Sequence, residues 1–422
     1  MTKKIIALTG CAALMLTAAS CGEKAVVQSQ DAKTEITLSW WGNDARNEYT
    51  IEAVERFEEL HPDIKVKCSY SEWSGYEARS QVQMISDTEA DVMQINFNWL
   101  DQYSHDGTGY YDLNKLTDLV DLSYFPPEVL SFGTKNGVLN AVPIAMNAET
   151  VYINKTIYEK YGLDIPKTWD DVFAAAEAMR GDGIFPLSGA SKGIWLYTIA
   201  YAEQVTGKPF LNSSGRINYT ADDLKIMLDF YSRLVKEKVI PQVEYFERIN
   251  IDNGSYAGAV AWVSDAVNYF GNTIEKGSSI VAADYTAFDP EKSGEGWYTK
   301  PAQLYAISKN TVHPEEAAML LDYMLNSREM AVLQGVEKGI PISQKARDSL
   351  EEEGLLSGIQ YEASLVMENN QLLAEMDPVR EDSALYNAFY DASNLVIFGK
   401  ATPDEAAVQL SEIYQEYQNL ST

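Results

Sequence analysis

Apolar and polar residues alternate through Ile36-Thr37-Leu38-Ser39-Trp40, the period of two of a strand with one buried face. From Glu48 to Leu60 the period lengthens, and Ile51, Val54, Phe57 and Leu60 share one face of a predicted helix. Ile64 to Tyr70 alternates again, Gly75 to Ile85 suits a second helix, and Ala90 to Ile95 is a short apolar run that reads as a buried third strand. A β-α-β-α-β series is the signature of an open, mostly parallel sheet. Ligands of such sheets sit beyond the carboxyl ends of the strands, where Trp41-Gly42-Asn43-Asp44 and Asn96-Phe97-Asn98-Trp99 fall.

Pro143 to Asn147 followed by Thr150 to Asn154 reads as the chain crossing into a second lobe, and beyond it the pattern turns helical. Thr168 opens a helix through Met179 with Asp171 as a partial capping box, and Thr220 opens another through Glu237 with Leu224, Met227, Leu228, Tyr231, Leu234 and Val235 on its apolar face. Gly258 to Val263 and Gln303 to Ser308 are predicted short buried strands, and Pro314 to Asn326 a helix with proline in its first turn. Thr402-Pro403-Asp404-Glu405 is a capping box for a final helix that turns Leu410, Ile413 and Tyr417 inward.

The chain begins with Lys3 and Lys4, an apolar run from Ile5 to Ala19, and Ala18-Ala19-Ser20 leading into Cys21. The run is shorter than the roughly 20 apolar residues a membrane-spanning helix needs and has small residues where a peptidase cuts, so 1–20 is expected to be an export signal. Ser20-Cys21-Gly22 resembles the bacterial lipobox, which implies acylation of Cys21, although Ala18 stands where leucine is usual. Residues 21–34 then form a polar tether. The chain from Glu35 onward is too long for one hydrophobic core and implies two lobes.

Acids outnumber bases 62 to 33, for a net charge of -29, a field that opposes nucleic acid and anionic lipid. With Cys11 in the leader and Cys21 acylated, Cys68 has no intramolecular partner, and its place after Ile64 and Val66 makes it a core residue. His61, His105 and His313 lack metal-ligand spacing, so no metal or other cofactor is expected.

Trp40-Trp41-Gly42-Asn43-Asp44-Ala45-Arg46 and Phe57-Glu58-Glu59-Leu60-His61-Pro62-Asp63-Ile64-Lys65-Val66 resemble the opening of the family 1 extracellular solute-binding proteins of bacterial ABC sugar importers. Glu89 to Met93, Asn154 to Gly162, Pro166-Lys167-Thr168-Trp169-Asp170 and Gly339-Ile340-Pro341-Ile342-Ser343 resemble later segments in the family's order, across nearly the whole mature chain. The resemblance implies an α/β, two-lobed fold of the periplasmic-binding-protein kind, each lobe a mostly parallel sheet flanked by helices, with the ligand cleft at the hinge and closure about it. It places 36–145 with 300–345 in one lobe and 146–299 with 346–422 in the other. It also implies a monomer without catalytic activity on the extracellular face of the cell membrane. Its partners are an oligosaccharide and separate ABC permease and ATPase chains.

A sugar offers apolar C–H faces and a rim of hydroxyls, so its site needs flat aromatic surfaces beside groups that donate and accept hydrogen bonds. Trp41, Asn96, Asn98 and Trp99 follow strands, and Trp262 with Ser264 and Asp265 follows the second lobe's short strand, where the family implies a stacking aromatic. Asn147 lies at the first crossover, Trp297, Tyr298, Lys300 and Gln303 at the return, and Trp195 and Tyr197 in a glycine-bounded segment that can face the cleft. Asp44 and Arg46 either clamp hydroxyls or form a surface ion pair, Trp40 and Trp169 are structural, and Trp73 stays unassigned. A secreted glycoside hydrolase, the competing class, needs a carboxylate pair astride the scissile bond, and with this many acids the sequence does not refute it. Asn98-Trp99-Leu100, Asp106 to Leu113 and Lys300-Pro301-Ala302-Gln303 resemble the oligogalacturonide-binding subgroup, in which an arginine occupies the position of Glu149. A carboxylate there disfavours a uronate and points to a neutral oligosaccharide, with Arg46 and Lys300 keeping the acidic alternative open.

Overall fold

The computed structural model describes residues 33–420, so the leader, Cys21 and most of the tether lie outside the described residues. Strand β1 (Thr34–Trp41) pairs in parallel with β2 (Ile64–Ser71) and β3 (Val92–Ile95), and helices α1 (Asp44–Leu60) and α2 (Trp73–Ser86) connect them. Asn43 accepts a hydrogen bond from the Arg46 backbone, which caps α1 immediately after Trp41 and turns the chain back over the sheet. Ile36, Leu38, Trp40, Val54 and Phe57 then meet in the first core.

Two long strands join the halves. The outgoing strand Ala141–Asn154 and the return strand Tyr298–Ile307 run antiparallel to each other, and the return strand also lies antiparallel to β3. Further along, the outgoing strand pairs antiparallel with Gly258–Trp262 and with Ile280–Ala283. One strand therefore serves two cores: Val142 and Ile144 pack in the first, Val151 and Ile153 in the second. The ladder slips register between Pro143 and Ala145 and again between Ala145 and Met146. Proline donates no ladder bond and an irregularity bends a strand, so the crossing pair is bent where the halves meet.

The second core is helical on its outer side, with Ser191–Thr206, Ala221–Lys236, Ser383–Ile397 and Pro403–Leu420 supplying Trp195, Leu228, Phe389 and Leu410. The capping boxes at Thr168, Thr220 and Thr402 form with Asp171, Asp223 and Glu405. In the last helix Tyr414 is the inward partner of Leu410, while Ile413 is 46% exposed, because the step of four residues follows the buried stripe more closely than the step of three. Cys68 is half-buried, and burial pushes its thiol up to about 11. No described helix is long and apolar enough to cross a membrane.

Candidate functional site

The crossing strands set the floor of the site. Asn147 lies opposite Lys300 in one ladder, and Glu149 opposite Trp262 in the next. The Asn147 amide donates to Ser264 Oγ at 2.9 Å and accepts from the Ser264 backbone at 3.2 Å, which fixes the turn after Trp262. Trp262 is half-buried, with Lys300 Nζ 4.7 Å from its ring centroid. The same ammonium donates to Glu381 Oε2 at 2.6 Å, and Lys192 reaches Glu381 Oε1 at 3.2 Å.

Lys300 and Glu381 are buried, and their protonation follows from it. Burial raises the Glu381 carboxyl, but the two ammonium groups outweigh it and hold the pKa below the usual value. For Lys300 burial wins, and its pKa falls despite the pair. Glu149 is 4% exposed and its Oε2 has no hydrogen-bond partner. Burial, and then the charge of Asp265, push its carboxyl up to about 8 against the pull of Lys192 and Lys300. At neutral pH this group is largely protonated, so it can donate as well as accept.

The facing wall comes from the first turn of α1. Arg46 grips Glu337 with two bonds, Nε to Oε2 at 3.0 Å and Nη2 to Oε1 at 2.7 Å, and Nη1 reaches the Trp41 carbonyl. Tyr49 donates to the same carboxylate at 2.7 Å. Burial raises the Asp265 carboxyl, and Arg46 is close enough to oppose that rise, so the two walls feel one another's charge. Asp44 is exposed and is no partner of Arg46, whose carboxylate partner is Glu337, so the surface ion pair between those two residues does not form.

The aromatic residues divide. Trp41 is half-buried and meets Trp73 edge-on at 5.0 Å, and Trp73, 36% exposed, forms the open edge of the group. Trp99, 1% exposed, is enclosed between Tyr76 and Trp73, so it backs Trp41 instead of meeting a ligand. Asn96 closes the turn after β3 by accepting from the Phe97 backbone, and the Asn98 Oδ1 is buried without a partner.

Trp195, Tyr197 and Trp297 are corrections. Trp195 is fully buried against Phe210 and Phe389 with its indole donating to the Arg380 carbonyl. Tyr197 is fully buried beside Trp169 and Trp297, and the Trp297 indole donates to the Thr286 carbonyl. The glycine-bounded segment is the start of a helix buried nearly all round, where an aromatic serves packing. Tyr298 donates to Glu203 at 2.5 Å and accepts from Arg380 at 2.8 Å, and Gln303 is buried in the return strand opposite Ala145.

Lys192, Glu337 and Glu381 went unnoticed in the sequence. The loop that carries Glu337 turns at Gly339, whose φ of +103° and the 2.8 Å between an added Cβ and the Ala145 side chain demand a glycine where it meets the crossing strand.

Residues 42–331 match the model of the bacterial extracellular solute-binding proteins. The chain belongs to that family. It is 22% identical over 364 residues, 81% of this chain and 82% of the relative, to a multiple sugar-binding protein of Streptococcus mutans serotype c. An uncharacterized ABC transporter extracellular-binding protein of Pyrococcus horikoshii is 24% identical over 254 residues, 54% of this chain and 56% of that relative's length. The solved periplasmic oligogalacturonide binding protein of Yersinia enterocolitica, in complex with saturated digalacturonic acid, superimposes with a TM-score of 0.81 and 30% identity over 90% of this chain and 97% of that one.

Proposed function

We propose that this family member captures an oligosaccharide in the cleft and delivers it to an ABC permease driven by a separate ATPase chain. The observation that carries the reading is the half-buried Trp262, set among Asn147, Ser264, Asp265 and Lys300: one flat apolar surface ringed by fixed donors and acceptors. Such a set suits a sugar ring and its hydroxyls. Family membership and the sugar-binding relative support it. Closure then brings 36–145 with 300–345 onto 146–299 with 346–422 as a monomer. The protein binds its sugar without cutting it, and the raised pKa of half-buried Cys68 removes that thiol as a nucleophile.

Charge selects a neutral sugar over a uronate. Arg46 is bonded to Glu337, and Lys192 and Lys300 to Glu381, so each of these cations already has a protein carboxylate. An incoming uronate would break one of these pairs and leave a buried charge behind. The Yersinia relative binds a digalacturonate, which keeps oligogalacturonide as the second reading. A glycan array followed by calorimetry decides between them. Neutral oligosaccharides are expected to bind with dissociation constants near ~1 μM, about -8 kcal/mol, and digalacturonate far more weakly. Binding of the uronide alone reverses the assignment.

Acylation of Cys21 anchors the chain to the outer face of the cell membrane in this reading. Fatty-acid labelling is expected for the natural chain and lost in Cys21→Ser, which leaves the cells in soluble form. Unlabelled natural protein, or a variant equally membrane-bound, removes the anchor.

A further inference from the structure

Both oxygens of the Glu381 carboxylate are taken by ammonium groups from distant parts of the chain. Oε1 accepts from Lys192, in the first turn of the helix Ser191–Thr206, at 3.2 Å, and Oε2 accepts from Lys300, in the return strand, at 2.6 Å. The Lys300 and Glu381 side chains are 7% and 6% exposed, so water screens their contact little. Burial lowers the Lys300 pKa even with Glu381 in place, and the ammonium therefore depends on a carboxylate to keep its proton. Glu149 does not supply one, since burial and then Asp265 push its own carboxyl up to about 8.

The backbone delivers Glu381 to this place from fixed points on either side. It ends the short turn Pro378–Glu381, with Asp377 accepting from the Val379 backbone before it and Asp382 accepting from the Ala384 backbone after it. Arg380, the residue before it, is tied to Glu203 and Tyr298. Two ammonium groups, one from a helix and one from a strand, converging on the two oxygens of one carboxylate make a carboxylate receptor, and the chain fills it from within. The receptor borders the sugar platform, because the Lys300 ammonium that holds Glu381 also lies 4.7 Å from the centroid of the Trp262 ring. A uronate stacked on Trp262 carries its carboxylate at the edge of the sugar ring, beside a receptor already occupied.

We propose that Glu381 is a built-in plug: it fills a pocket formed by Lys192 and Lys300 that otherwise takes the carboxylate of a uronic acid, and so sets the site for neutral sugars. The proposal rests on the sugar-binding reading above and assigns its charge selectivity to one positioning residue, which acts through the two lysines.

Emptying the pocket tests the plug without any sugar. Glu381→Ala leaves room for the removed group, and its thermal unfolding is expected to shift upward in millimolar propionate, which has the length of the lost side chain. Propionamide, its uncharged counterpart, should leave the variant unmoved, and neither solute should shift the unaltered protein. Equal shifts with both solutes, or none, overturn the plug. Glu381→Gln keeps the shape of the side chain and covers the case in which the alanine variant does not fold. Calorimetry is expected to show digalacturonate binding at least about tenfold more tightly to Glu381→Gln than to the unaltered protein, a gain that a merely structural role does not produce. Adding Lys300→Met should abolish it. No gain, or a gain that survives the loss of Lys300, overturns the role in specificity. Tight digalacturonate binding by the unaltered protein overturns the neutral-sugar reading whatever propionate does, and absence of propionate rescue overturns the plug whatever the sugar does.

Discussion

Replacing Trp262 by alanine is expected to weaken sugar binding by about 2–3 kcal/mol, roughly 30- to 150-fold in dissociation constant. The indole stands at the end of the strand Gly258–Trp262, opposite Glu149, with the Lys300 ammonium over its ring. The Asn147–Ser264 bonds fix the turn behind it, so the surface is formed before a ligand arrives. Truncation removes the stacking surface and bares a lysine whose pair with Glu381 is already 2.6 Å long and cannot substitute for it. Because the ring also packs against the second core, thermal unfolding must accompany the titration. Trp262→Phe, which keeps a smaller ring, is expected to recover part of the loss. A folded alanine variant with unchanged calorimetric affinity removes Trp262 from the site.

The part of this structure written in local periods was legible. The β1-α1-β2-α2-β3 series follows directly from alternating and helical patterns, and so does the placement of Trp41 at a strand end, since neither depends on distant residues. Asn147, Ser264, Trp262 and Lys300 stand at strand ends and crossovers along the chain, and two antiparallel ladders bring them together. Their charge partners were not legible. Arg46 and Glu337 are 291 residues apart and Lys300 and Glu381 are 81 apart, and no local period encodes such a pairing. The misplaced aromatics Trp195 and Tyr197 belong to a helix buried on almost every face, where neither a stripe nor a composition shift distinguishes a core ring from a cleft ring.

Glu149→Gln is expected to leave stability unchanged below about pH 4.5 and to raise it progressively as pH rises from there to about 8. The folded carboxyl titrates at about 8 because burial, and then Asp265, oppose its ionisation more than Lys192 and Lys300 favour it. In the unfolded chain it returns to the ordinary value of 4.5. Between those two values the folded state holds a proton the unfolded state has released, so the contribution to stability is full below the lower value and is lost as pH rises through the upper one. The loss amounts to about 1.4 kcal/mol per pH unit, roughly 4–5 kcal/mol over the interval. Glutamine has nearly the same shape and does not titrate, so urea midpoints for the two proteins should coincide near pH 4.5 and diverge until about pH 8, with the variant the more stable. Lys338, whose ammonium is pulled down to about 7 by burial and then by Arg46, acts in the opposite sense above that pH. It is present in both proteins and cancels from the difference. Parallel curves would mean that Glu149 stays ionised in the folded protein, bonded to Lys192 or Lys300. Glu381 would then be the unmatched carboxylate of the wall, and the basis for preferring a neutral sugar would have to be sought there.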